Sequence, residues 1–158
     1  MALGPVKPDP SKQSRSLAAR LKAAREECAP RLAQVSDKLN AGFVEVEQAL
    51  GALRLGVQAS VTIETDDAPD PDYEVLLSFR KYEGAWRLLI EWSHVALTER
   101  DSRTPLIKAS RELRLRAVGL LPDLVEKLIE RSRSEIERVE QGVDMLADLA
   151  QQLSEAKS

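Results

Sequence analysis

The sequence predicts an α+β fold of order α-β-β-β-α, with a three-stranded antiparallel meander packed on two long antiparallel helices. Three observations predict it. Apolar or small residues recur about every 3.6 positions from Leu17 to Leu53 and again from Leu106 to Leu153, which is the period of a straight α-helix. Between these stretches they recur at every second residue, the period of a half-buried strand. The apolar parity also changes across Glu83-Gly84, and only an even-numbered hairpin loop there returns both apolar sets to one face.

The elements follow in order. Pro5, Pro8 and Pro10 mark residues 1–10 as an extended, flexible leader before a single domain over 11–155. A helix is expected from about Ser11 to Arg54, with Leu17, Leu21, Ala24, Cys28, Leu32, Val35, Leu39, Phe43, Val46, Leu50 and Leu53 on one stripe. Pro30 removes one backbone hydrogen bond and is expected to kink this helix without changing its phase. Val57, Ala59, Val61 and Ile63 then alternate with polar residues as a first strand. An acidic loop with Pro69 and Pro71 ends it. Tyr73, Val75, Leu77 and Phe79 form the inward face of a second strand, and Trp86, Leu88, Ile90 and Trp92 that of a third. In a two-residue hairpin Phe79 faces Leu88, Leu77 faces Ile90, Val75 faces Trp92 and Arg80 faces Arg87. Val95 to Thr98 could extend the meander. Thr104 and Pro105 have the residue types of an N-cap and first helical position, so the last helix is expected to open there and end near Gln152. Gly119 and Pro122 bend or break it near its middle.

Charge orients the two helices. Between Arg15 and Arg31 five basic residues stand against Glu26 and Glu27, while Glu135 to Glu155 holds six acidic residues against Arg138. Each arrangement opposes its own helix dipole, and antiparallel pairing relieves both. The same pairing brings Asp37, Glu45 and Glu47 toward Lys108, Arg111, Arg114 and Arg116. A helix of about 43 residues spans roughly 65 Å, whereas three strands of about nine residues make a patch roughly 30 Å long. The apolar stripes therefore need cover beyond the sheet, from a second copy or a partner.

Composition excludes several classes. A net charge of -3 argues against a general nucleic-acid coat, and no apolar run approaches the roughly 20 residues of a membrane span. The lone Cys28 rules out an internal disulfide; its place on the stripe predicts a buried, inert thiol, and a reducing cytoplasm fits best. No phosphate loop, dinucleotide glycine pattern, HExxH or paired cysteines occur. His94, the only histidine, lies on the strand face opposite Glu91. Neither catalysis nor a cofactor or metal is expected.

Two candidate surfaces remain. Arg80 and Arg87, with Lys81 near the hairpin tip, concentrate cations where like charges directly opposite are unfavourable. An acidic partner would relieve them, as would side chains that splay into solvent. Leu76 and Leu89 are expected exposed on the same outer face, beside Gln58, Ser60, Ser78 and Glu91. The second surface is Arg100, Arg103, Lys108, Arg111, Arg114 and Arg116, a nucleic-acid alternative that lacks aromatic residues for base stacking. The expected function is a non-enzymatic cytoplasmic interaction or regulatory module with a protein partner, dimerising through its helices.

Overall fold

The computed structural model describes residues 4, 5, 9–65 and 72–158. The expected acidic loop lies for the most part at 66–71, outside the described residues, as does most of the leader. The chain divides into two compact units, residues 1–42 and 43–158. It is α+β, with an antiparallel sheet and two long helices.

The first helix, α1, runs Pro10–Ala52. Asp9 starts it: its carboxylate accepts from the Ser11 amide at 3.0 Å and the Ser11 hydroxyl at 2.8 Å. These two bonds hold the Asp9 carboxyl below its ordinary pKa. Pro10 then occupies the first helical position, where the missing N–H costs nothing. Pro30 lies inside α1 without ending it, because the helix continues through the one missing hydrogen bond. In the unit that holds the first part of α1, Leu17, Leu21, Leu32 and Val35 are exposed. Cys28 is also exposed, which corrects the expectation of a buried thiol.

The second unit takes up the last turns of α1, where Phe43 and Leu50 are buried. Its strands are β1 (Ala59–Thr65), β2 (Tyr73–Tyr82), β3 (Ala85–His94) and β4 (Ser102–Pro105). They form one antiparallel sheet in the order β1-β2-β3-β4. The second helix, α2, spans Arg111–Glu155. It packs on β1 and β2.

The central hairpin has the expected register: Phe79 pairs with Leu88, Leu77 with Ile90, Val75 with Trp92 and Arg80 with Arg87. Glu83 and Gly84 close it with φ of 50° and 84°, the pair of positive values that a type I′ loop demands. Glycine adopts the left-handed region without penalty, whereas a residue with a Cβ loses roughly 1 to 2 kcal/mol there. Gly84→Val should therefore lower stability by about 1 to 2 kcal/mol in urea titration, through strain alone, since open space surrounds the site.

The meander has four strands rather than three. Val95 to Thr98 does not extend it; the chain turns through a 3-10 segment at Thr98–Arg100, and β4 pairs with β3 from Trp92↔Ser102 to Leu89↔Pro105. Thr104 and Pro105 thus lie in a strand, not at a helix start. A second 3-10 segment, Leu106–Lys108, follows, and the true N-cap is Ser110, whose hydroxyl accepts from the Leu113 amide at 3.3 Å. Pro122, like Pro30, is accommodated inside one continuous helix.

Val75, Leu77, Phe79, Leu88 and Ile90 form the core with Ala59 and Val61, closed by Ala117, Leu124 and Leu128 of α2. Trp86 stacks on Phe79 with centroids 5.5 Å apart, and Trp92 tilts against Tyr73 at 5.8 Å; both tryptophans are half-buried. Glu47 does not reach the basic start of α2. Its carboxylate accepts from the Leu88 amide at 2.8 Å, a backbone donor just past the last residue that β4 pairs.

The sheet's two edges differ from its centre. On β1 the register slips between Thr62 and Glu64, and Lys127 Nζ donates to the Ser60 carbonyl at 3.1 Å. On the other side β4 is four residues long and ends in proline.

Candidate functional site

The sheet face that carries the hairpin arginines is built by register. Ser60 of β1 pairs with Ser78 of β2, Ser78 with Leu89 of β3, and Leu89 with Pro105 of β4; one step along, Leu76, Glu91 and Arg103 align in the same way. Arg80 and Arg87 stand directly opposite each other. Their repulsion is relieved from within the chain. Arg80 Nη1 donates to Glu91 Oε1 at 2.9 Å and Nη2 to Gln58 Oε1 at 3.2 Å. Arg103 Nε meets the same Glu91 oxygen at 2.7 Å.

Glu91 lies four residues along β3 from Arg87, the residue opposite Arg80, a separation of roughly 13 Å. Arg80 and Glu91 can meet only by lying along the sheet, over the Ser78–Leu89 pair between them. The aliphatic stem of an arginine is well suited to cover apolar surface. Leu89 and Ser78 are accordingly 0% and 1% exposed, and Glu91 is itself buried. This corrects the expectation of an exposed Leu89. Leu76 is half-buried, Arg87 is half-buried with its Nε lacking a hydrogen-bond partner among the described residues, and Lys81 is exposed.

Arg131 of α2 reaches the same place. With Gln58, Ser60, Ser78, Arg80 and Glu91 it lines a cavity of about 90 Å³, room for a few waters. Among the described residues the Ser78 hydroxyl there has no hydrogen-bond partner, and no histidine or lysine lines the cavity to act as a base. His94 Nδ1 lies 3.6 Å from Asp101 Oδ1, too far for a hydrogen bond; the His94 amide takes that oxygen at 2.6 Å. Asp101 thus closes the loop after β3. Among the described residues no group of three or more His, Cys, Asp or Glu side chains is placed to hold a metal, and no helix is long and apolar enough to cross a membrane.

The second arginine surface is scattered. Arg100 ends a 3-10 segment, Arg103 sits on β4 and Lys108 ends the next 3-10 segment; Arg111, Arg114 and Arg116 open α2. Arg103 is bound to Glu91, and Arg116 to Glu64 at 2.7 Å and Glu112 at 3.2 Å. Arg100, Lys108 and Arg111 are exposed, and Arg114 is half-buried.

The larger unsatisfied surface is apolar and helical. On α2 the buried positions stop at Leu128, and past Glu135 the stripe continues in solvent: Ile136, Val139, Val143, Leu146, Leu149 and Leu153 are each at least 50% exposed. On α1 Leu17, Leu21, Leu32 and Val35 are between 41% and 70% exposed. Helical phase predicted both stripes, with Ala150 in place of Leu149 on the second. Which parts of each stripe the sheet covers was not readable from periodicity, because that depends on where each helix meets the strands. No protein-family model, curated protein or solved structure matches this chain.

Proposed function

We propose that this protein is a non-enzymatic interaction module that associates through its two long amphipathic helices, paired antiparallel, most simply as a homodimer. The observation that carries this reading is the pair of exposed apolar stripes, ten large aliphatic side chains at helical spacing on α1 and α2. Burying one such side chain fully gains about 1.5 to 3 kcal/mol. Even half of that, summed over ten, offsets an association cost of roughly 4 to 15 kcal/mol. Monomers rarely leave so long an apolar strip in water.

The sheet face supports a binding role less directly. Arg80 and Arg103 are satisfied by Glu91 and Gln58, so Arg80 needs no outside anion, and Lys81 near the hairpin tip is exposed. Nucleic-acid binding through residues 100–116 is weakened in the same way, since Arg103 and Arg116 are already engaged by carboxylates.

Sedimentation equilibrium tests the helix reading. The wild-type chain is expected to dimerise in the micromolar range or below, and Val139→Asp/Val143→Asp to be monomeric. These residues are more than half exposed, so circular dichroism should change little, and the thermal midpoint should match that of wild type diluted below its dimerisation range. A wild-type chain that stays monomeric at about ten times that concentration overturns the proposal.

A further inference from the structure

We infer that the two exposed stripes are each other's partners across two copies, the acidic end of α2 in one copy lying antiparallel on the basic start of α1 in the other. The inference rests on the helix-association reading above and adds the segments, their pairing and their register. It starts from length. The α1 stripe from Leu17 to Val35 covers 18 steps and the α2 stripe from Ile136 to Leu153 covers 17, so each is roughly 26 to 27 Å long at the helical rise.

Phase agrees with length. Set antiparallel with Val35 level with Ile136, the stripes bring Leu32 to Val139, Cys28 to Val143 and Leu21 to Ala150, and Leu17 comes within a residue of Leu153. Ala29 falls level with Gly142, two small residues that let the helices approach closely beside Cys28. Two such reciprocal strips, each about 10 Å wide, would bury on the order of 1,000 Å² in total, the lower bound for a specific interface.

Charge selects this pairing over the alternatives. Arg20, Lys22, Arg25 and Arg31 line the α1 segment against Glu26 and Glu27, while Glu137, Glu140, Asp144 and Asp148 line the α2 segment against Arg138, with Glu135 and Glu155 just beyond its ends. Packing α2 on α2 sets acid against acid, and α1 on α1 sets base against base. In the mixed register Arg31 comes level with Glu140 and Lys22 within a residue of Asp148. Against these stands Glu27 level with Asp144. Exposed pairs add little affinity each, but like charges brought together penalise the wrong partner.

Cys28 is the only cysteine and is exposed on the stripe, so it serves as the probe. Val143→Cys places a second thiol level with it in the partner copy. Under mild oxidation this variant is expected to give a covalent dimer on a non-reducing gel, reversed by reductant. Gln141→Cys, on the opposite side of α2, should give none, and neither should wild type. An internally linked monomer from Val143→Cys would mean pairing within one chain and overturn the inference. A non-covalent dimer that cross-links through Cys28 alone, or not at all, would mean like-with-like or other pairing and also overturn it, while leaving helix association intact. Only a chain monomeric at every concentration would sink both.

Discussion

Leu124→Ala is expected to lower the unfolding free energy by about 3 to 4 kcal/mol, read as a shift of the urea midpoint at constant slope. Leu124 is fully buried on α2, between Ala117 and Leu128, where the helix lies on β1 and β2. Leucine-to-alanine changes at such sites cost roughly 2 to 5 kcal/mol, the higher values where the surroundings cannot collapse into the void. Collapse is restricted here, because β1 and β2 are held in their own ladder. The anchored part of α2 is also short, with its buried positions ending at Leu128, so no distant contact compensates. A loss below about 1 kcal/mol would mean that the helix is not seated on the sheet as described.

Glu91→Leu should cost about 2 to 3 kcal/mol by the same measurement. Removing one partner of a buried ion pair costs roughly 3 to 5 kcal/mol, since it strands the other charge. The figure is lowered here because Arg103 is half exposed and regains water on losing its acceptor. Arg80 cannot do so as easily. Its side chain is 24% exposed and lies over Ser78 and Leu89. Arg80→Met/Glu91→Leu should then recover most of the loss, with a coupling of about 1 to 2 kcal/mol, because a methionine covers the same two residues without a charge. Full additivity of the two single losses would refute this account of how the face is covered.

The hairpin was legible because strand parity admits few solutions. Once Phe79 and Leu88 must share a face, only an even-numbered loop about Glu83-Gly84 fits, and in that register Arg80 meets Arg87. The fate of that arginine pair was not legible. Alternation assigns a face to each side chain but not what lies over it, and the cover came from Arg80 itself reaching along the sheet to Glu91. The fourth strand was missed for a related reason. Ser102–Pro105 has no apolar alternation and is a strand only because β3 offers an edge. Thr104-Pro105 imitates a helix start, and the cap that operates, Ser110, lies six residues beyond Thr104. Cys28 was misplaced because a stripe reveals which side of a helix is apolar, not whether anything touches it.

One feature of the sheet bears on the kind of assembly such a chain can form. A protein that leaves aliphatic side chains in water invites runaway aggregation, most dangerously where a free strand can template another. Here Lys127 occupies a carbonyl on one outer strand, a bulge disturbs its ladder, and the strand at the opposite side is too short and ends in proline. Both borders are thus poor templates for a growing cross-β fibre. On the proposed helix association, crowding should therefore favour finite helical clusters over fibres.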